Sequence, residues 1–442
     1  MTVKGANSFG RLMGHLDLGD FAKSEKPLAL VGDLFGEEWL STNGGHRLQK
    51  LWARKDMLSS TELFALGRAI EKLTSDHSLW LKRVANDIIN QPKNAHGYLA
   101  EIMVCASLSA PDGTVLPASK GNKGFDLTLT MPSQFKYHVS IKNHDISEHE
   151  GVFREKCATL KAVFDKKMKE MRVHGALRVI SDQFIEPTVL DALVTWVSKK
   201  MKAPGSYKCQ RGTVKVFFSE LHSTDERPLA RNFFSSDLMV VGGFHRNELA
   251  NQKSRILKAA ANLKKHVSPS PNSCRFVWMR VHSSADVGLI SDVVKELVVG
   301  GISGEDIGFD GFFIAQPSIV RENGSSRVNT VLSIIEGSHA GLQASRKRGE
   351  KLSIEVLVGN MSSEPSRALL QVDGENIELS PHLYIYQDSD FYVLSTIENG
   401  VARGNISSPA SGVRNHSVFD IDGEEIGLTG RLIPRAEELL IF

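Results

Sequence analysis

Three stretches decide the fold of this chain: AHGYLAEIMVCASL (95–108), GNKGFDLTLT (121–130) and YHVSIKNHD (137–145). In the first, apolar residues recur every three or four positions, a pattern typical of an amphipathic helix. In the other two, apolar and polar residues alternate, and segments rich in Gly, Pro and Ser bound them, which predicts two adjacent strands. The sequence therefore predicts a helix followed by a hairpin.

These stretches carry two carboxylates and a lysine that the hairpin can bring together. Glu101 lies on the helix, Asp126 at the start of the first strand, and Ser140 and Lys142 on one face of the second strand. Two converging carboxylates form an oxygen site suited to Mg²⁺, which leaves positions for water and phosphate oxygens. A lysine beside them can orient the attacking water and offset charge on a phosphoryl group.

This arrangement resembles the restriction-endonuclease-like nucleases with the PD-(D/E)xK motif, including the Holliday-junction-resolvase-like branch that adds a helical glutamate. The resemblance covers about residues 96–181, with helix, hairpin, long helix and strand in order. It implies that Glu101 and Asp126 bind Mg²⁺ or Mn²⁺ and that Lys142 assists the water nucleophile.

The chain departs from that family at one position. Where the family usually has Glu or Asp two residues before the lysine, this sequence has Ser140, a neutral and weaker metal ligand. A displaced carboxylate, most plausibly Asp145, would replace it. The expected catalytic residues are thus Glu101, Asp126, Ser140 and Lys142, and the expected metal ligands are Glu101, Asp126 and Asp145.

Other catalytic patterns have less support. Ser140 and Lys142 form a candidate Ser/Lys pair, but a hairpin without a tight elbow is poor support for a nucleophile. His144 and His149 bracket an acidic segment, yet their spacing fits neither one helix face nor one strand face, which favours solvated loop histidines. The sequence contains neither G-x-x-x-x-G-K-[ST] nor a G-x-G-x-x-G after a strand, so nucleotide-binding loops are not expected.

Local basic clusters are the remaining functional signal. The net charge of +2, from 53 Lys and Arg against 51 Asp and Glu, does not itself indicate a nucleic-acid binder. Clusters can still supply phosphate contacts. The candidate nucleic-acid-binding residues are Arg47, Lys50, Arg54, Lys208, Arg211, Arg346, Lys347 and Arg348. For any one cluster, a solvated surface is the simpler explanation.

Length and composition predict a multidomain globular protein. The 442 residues favour two or three domains, and 41% apolar with 24% charged residues is ordinary for a globular chain. The first residues lack the pattern of a signal peptide, and no apolar run is long enough to span a membrane, so we expect a cytoplasmic protein. The four cysteines form no CxxC pair, which favours reduced thiols.

The order of elements predicts an α/β protein: a restriction-endonuclease-like mixed sheet flanked by helices, with an N-terminal helical region and a C-terminal all-β domain. The expected boundaries are 1–95 for the helical region, 96–320 for the α/β domain and 321–442 for the β domain. From about 321 onward, no helix is expected before the last residues.

The expected function is Mg²⁺-dependent cleavage of phosphodiester bonds, with DNA favoured over RNA as the partner and defence against foreign DNA as the role suggested by the resemblance. The alternative is a catalytically degenerate nuclease fold that acts as a nucleic-acid-binding or assembly module. No membrane partner is expected; a homo-oligomer or a defence-system partner protein is compatible with either function.

Overall fold

The computed structural model describes residues 21–430 except 54–56, 110–112, 120–123, 174, 209–213, 221–235, 284, 302–305, 323–324, 338–339, 363–368, 373–374, 379–382, 390–391, 399–400, 408–414 and 422–423. Its helices are α1 Phe21–Phe35, α2 Glu37–Ser41, α3 Arg47–Ala53, α4 Met57–Asn90, α5 Ala95–Leu108, α6 Glu148–Met171, α7 Pro187–Lys199, α8 Glu248–His266, α9 Val287–Gly301 and α10 Ala340–Lys347. Its strands are β1 Thr114–Pro117, β2 Leu127–Thr130, β3 Lys136–His144, β4 Gly175–Ile180, β5 Gly205–Lys208, β6 Lys215–Glu220, β7 Ser236–Gly243, β8 Ser273–Val281, β9 Gly311–Glu322, β10 Ser325–Glu336, β11 Asn360–Ser362, β12 Leu369–Val372, β13 Glu375–Glu378, β14 Leu383–Ser389, β15 Tyr392–Glu398, β16 Val401–Ser407, β17 Asn415–Ile421 and β18 Glu424–Gly430.

The predicted helix and hairpin are present. Helix α5 covers 95–108, and β2 pairs antiparallel with β3. The chain is α/β, with mixed sheets flanked by helices. Strands and helices are interspersed from 175 to 315, in agreement with the predicted α/β class.

The larger sheet lies in a compact unit formed by residues 1–145, 252–366 and 414–442. Its strands run in the order β1-β2-β3-β8-β9-β10-β17-β18, with β11 also paired to β10. Strand β3 is antiparallel to β2 but parallel to β8, and β8 is parallel to β9. The sheet is therefore mixed at the strand that carries Lys142.

Helices cover both faces of this sheet at β8. The side chains of β8 alternate between the two faces, and each set packs into a different core. Phe276 and Trp278 belong to the core that contains α5 residues such as Ile102. Val277 and Met279 belong to the core on the other face, which contains apolar residues of α8 and α9. The buried strand is apolar on both sides, as expected of parallel strands covered twice.

A second compact unit consists of residues 146–251 and 367–413. Its five-stranded sheet has the order β14-β7-β4-β6-β5. The predicted strand at 176–181 is β4 and lies in this sheet, not beside β3. Helix α6 and strand β4 thus lie in the second unit, and the helix and strand that follow the hairpin within the first unit are α8 and β8.

The described C-terminal residues do not form one separate β domain. The stretches 321–366 and 414–442 belong to the first unit and 367–413 to the second, so the division does not follow boundaries at 95/96 and 320/321. The expectation of no helix after 321 is wrong, since α10 begins at Ala340. This helix is stabilised by burial of Leu342 and by a 2.7 Å hydrogen bond between the hydroxyls of Ser345 and Tyr137.

Two further expectations concern cysteines and membranes. Cys105, Cys157 and Cys274 are free thiols, as expected, and all three are buried; Cys209 lies outside the described residues. Among the described helices, none combines the length and apolar character needed to cross a membrane.

Candidate functional site

The carboxylate of Asp126 is fixed at the open end of the β2–β3 ladder. The backbone N–H of Asp126 donates to the carbonyl of Val139, one step before the first paired residues of the strands. Beyond that point β3 has no backbone partner on β2, and the N–H of Ile141 donates instead to Oδ2 of Asp126 at 2.5 Å. The hairpin register thus determines where this carboxylate lies.

Ser140 and Lys142 meet the same oxygen. The hydroxyl of Ser140 donates to Oδ2 of Asp126 at 3.4 Å, and Nζ of Lys142 lies 3.4 Å from that atom. Ser140 is fully buried, whereas about a third of the Lys142 side chain is exposed. Lys142 also donates to the carbonyl of Ile141 at 3.0 Å. Because an ammonium has three donors, one N–H remains for a phosphate oxygen or a water molecule.

Glu101 on α5 is linked to Asp126 and Lys142 by electrostatic interaction. Burial raises the pKa of Glu101 to about 8, and the negative charge of Asp126 acts in the same direction. The charges of Lys142 and Arg83 oppose this shift, and that of Asp87 adds to it. Two carboxylates close enough to perturb each other, with a lysine beside them, are characteristic of functional sites.

The donor set suits a divalent cation only partly. Among the described residues, no group of three or more His, Cys, Asp and Glu side chains is placed to bind a metal ion. The pKa of Glu101 is raised mainly by burial and further by the charge of Asp126, and a bound cation would oppose both effects. Mg²⁺ is often held by one or two carboxylates, with water and substrate oxygens completing its coordination. Glu101, Asp126 and the hydroxyl of Ser140 offer oxygen atoms of the chemical kind that such a site uses.

Asp145 lies in a different ion-pair cluster. Its Oδ2 accepts from Nη2 of Arg47 at 2.7 Å and from Nδ1 of His96 at 2.9 Å. Burial by itself would raise the pKa of Asp145, but the hydrogen bond from His96 and the charge of Arg47 hold it well below its usual range. Asp145 is thus engaged with Arg47 and His96, and its role as the replacement metal ligand stays a prediction.

His96, the partner of Asp145, is neutral. Burial lowers the pKa of His96 to about 3, and a carboxylate can only accept, so the ring proton lies on Nδ1. Its Nε2 is buried and has no hydrogen-bond partner in the described part of the chain. The sequence did not single out His96, because nothing in it indicates that a histidine near the start of α5 pairs with Asp145, 49 residues later.

The two histidines considered as metal ligands are not solvated loop residues. His144 is buried on β3, and its Nδ1 accepts from Nη1 of Arg255 at 2.9 Å. His149 lies in α6, and its ring stacks on that of His245 with centroids 3.6 Å apart. The expectation of loop histidines is therefore wrong, although neither residue joins a metal cluster in the described part of the chain.

The predicted nucleic-acid-binding residues differ in exposure and in whether they already have partners. Arg54 and Arg211 lie outside the described residues, as does the side chain of Lys208 on β5, and Lys50 is exposed at the end of α3. Arg47 is paired with Asp145.

The run 346–348 lies at the end of α10, where two of its three cations have internal partners. Arg346 pairs with Glu336. Arg348 donates to Oδ1 of Asn272 at 2.5 Å and lies 5.5 Å from the centre of the Phe135 ring. Lys347 is exposed. Binding of phosphate by this run would therefore compete with existing contacts.

A basic pocket that sequence reasoning did not assign lies beside Lys142. It is lined by Lys142 and His144 of β3 and by Arg255, Lys258 and Lys265 of α8, and its volume is about 620 Å³. The available signal was the spacing of the α8 cations, which recur every three or four residues and so share one helix face.

Comparisons with protein-family models, with curated proteins and with solved structures found no match to this chain. The resemblance to PD-(D/E)xK nucleases therefore stays a prediction that depends on the residues themselves.

Proposed function

We propose that this protein is a metal-dependent nuclease of the PD-(D/E)xK type, with DNA favoured over RNA as its substrate. The observation that carries the proposal is the convergence of Lys142, Ser140 and the Ile141 N–H on one oxygen of Asp126, with Glu101 close enough for its pKa to respond to the charge of Asp126. The order α5, β2, β3, α8, β8 within one unit supports it, since helix, hairpin, helix and strand follow as in that family.

Each residue of the site has a distinct task in this proposal. Asp126, held by the Ile141 N–H, and Glu101 supply oxygen ligands from two different elements. Lys142 uses its remaining N–H to orient the attacking water and to stabilise charge that develops on the phosphoryl oxygens. Ser140 supplies a neutral oxygen. The site therefore carries one negative charge fewer than it would with a third acidic residue at this position.

The cation itself, Mg²⁺ or Mn²⁺, would be held by Glu101 and Asp126 and would supply Lewis acidity toward the phosphoryl oxygens and the attacking water. With only two carboxylates, we expect weak binding. Defence against foreign DNA remains the role that the resemblance suggests for such an activity.

A second candidate function, a degenerate nuclease fold that only binds nucleic acid or assembles with other proteins, is favoured by two observations. Ser140 stands where the family has an acid, and the described residues contain no three-ligand metal cluster. The two functions differ in whether a bond is broken, and a cleavage assay separates them.

The test is cleavage by the purified 442-residue chain. Duplex DNA, single-stranded DNA and RNA would each be incubated with Mg²⁺, with Mn²⁺ and with excess chelator, using Asp126→Asn as the inactive reference. The nuclease proposal predicts products that need the divalent ion and are lost in Asp126→Asn. Products that persist in chelator, or that Asp126→Asn makes equally well, would overturn it.

A further inference from the structure

The pocket beside Lys142 is strongly basic on its α8 side. Arg255, Lys258 and Lys265 line it together with Asn262, and no acidic side chain is among the described residues that do so. Lys258 and Lys265 are exposed, and neither has a hydrogen-bond or ion-pair partner within the described residues. Several unneutralised cations around one concavity produce a positive potential that attracts anions.

The pattern of α8 places these cations on one face. Arg255, Lys258, Asn262 and Lys265 are spaced by three, four and three residues, the period of a helix. The apolar residues Ile256, Ala259, Ala260 and Leu263 are buried in the core between α8 and the sheet. Packing against the core explains why these apolar residues lie on one face of α8. It does not explain why Arg255, Lys258 and Lys265 line the same pocket.

Arg255 is held in place from the strand that carries Lys142. Its Nη1 lies 2.9 Å from Nδ1 of His144, and burial together with the charge of Arg255 lowers the pKa of His144 to about 4. A neutral His144 accepts this hydrogen bond, so the guanidinium is oriented at the pocket while its other N–H groups stay available. Such an arrangement reduces the ordering cost of binding a phosphate.

We propose that the α8 face formed by Arg255, Lys258 and Lys265 binds successive phosphates of a nucleic-acid backbone and so delivers the adjacent phosphodiester to Lys142. This inference rests on the proposed nuclease function and names the surface that holds its substrate. Contacts to phosphates do not depend on base sequence. Binding at this face is therefore independent of sequence.

The dimensions agree with several phosphates. Ten residues separate Arg255 from Lys265, which is about 15 Å along a helix. One strand of duplex DNA presents a phosphate every ~3.4 Å of axis, so the face spans on the order of four phosphates. The Lys142 end of the pocket is where cleavage is expected.

The test is a salt-titrated binding isotherm of the full chain with labelled duplex DNA, single-stranded DNA and RNA, in chelator so that nothing is cleaved. The variant is Lys258→Glu/Lys265→Glu. The control is Lys253→Glu/Lys295→Glu, which changes the net charge equally at exposed positions outside the pocket. We expect at least a tenfold loss of affinity for the first and little change for the second. The salt slope for duplex DNA should fall by about 1.8, since each lost phosphate contact removes ~0.9.

The outcomes separate this inference from the proposed function. Equal isotherms for wild type and the α8 variant would overturn the inference while leaving cleavage through Lys142 untouched. Normal α8-dependent binding by a chain that never cleaves would overturn the nuclease function and leave the binding face in place. If the charge reversal impairs folding, Lys258→Gln/Lys265→Gln provides the same comparison with half the change in charge.

Discussion

Nζ of Lys142 lies 3.4 Å from Oδ2 of Asp126, across the hairpin that joins β2 to β3. The same oxygen accepts the N–H of Ile141, so the carboxylate is held by backbone geometry and the lysine is placed by the carboxylate. This relationship connects the hairpin to the chemistry that we propose, because any change in register would separate the two side chains.

The first prediction concerns Ser140. Ser140→Asp restores an acid two residues before the lysine, but at a fully buried position next to Asp126. Without a cation we expect the free energy of unfolding to fall by about 2 kcal/mol or more, because the new carboxylate loses its hydration and lies beside the like charge of Asp126. Mn²⁺ should then raise the melting temperature of the variant more than that of wild type.

The control for this measurement is Ser133→Asp, which adds the same charge at the exposed turn of the hairpin. An equal response to Mn²⁺ in Ser140→Asp and wild type would show that position 140 does not face a metal site.

The second prediction concerns Asp145. Asp145→Ala removes the partner of Arg47 and His96, so we expect a loss of about 1–3 kcal/mol in the free energy of unfolding, reduced from the fully buried case by partial exposure. The Mg²⁺ concentration that gives half-maximal cleavage should not change. Urea unfolding and a metal titration measure the two effects. A greatly increased metal requirement with unaltered stability would instead place Asp145 in the metal site.

The third prediction concerns pH and His96. The pKa of His96 is about 3 in the folded chain, whereas its ordinary value is 6.5. Below pH 6.5 the unfolded state therefore takes up a proton that the folded state does not. Stability is therefore lost as the pH falls from about 6.5 toward 3. Between pH 7 and pH 5 this amounts to about 2 kcal/mol.

His96→Asn keeps a donor near Asp145 but cannot titrate. Urea unfolding at pH 7 and pH 5 should show a smaller decrease for this variant than for wild type, with the other histidines contributing equally to both. Identical decreases would mean that the pKa of His96 is the same in the folded and unfolded chain, which contradicts the burial argument.

The local part of the site could be predicted from the sequence. The period of α5 and the alternation of β2 and β3 depend on neighbouring residues, and a tight hairpin leaves little choice of register. The closeness of Asp126 to Ser140 and Lys142 follows from that register.

The long-range part could not be predicted. Strands β4 and β8 are both apolar runs that follow a long helix, and only tertiary packing decides that β8 is the one that pairs with β3. In that pairing Arg280 lies opposite Asn143, although the two residues are 137 positions apart in sequence. The chain leaves the first unit after Asp145 and returns at Gln252, and no composition change marks either point. The pairing of Arg47 with Asp145 likewise joins distant residues.

The most direct test of the central claim is the single-turnover cleavage rate of Lys142→Ala beside wild type and Lys136→Ala, at saturating Mg²⁺. Lys136 is exposed on the same strand and lies outside the cluster, so it controls for loss of a β3 lysine. We expect Lys142→Ala to cleave about a hundredfold more slowly or worse, equivalent to ~2.7 kcal/mol of lost transition-state stabilisation, with Lys136→Ala close to wild type. A Lys142→Ala rate equal to that of wild type would contradict the assignment of this site as a nuclease centre.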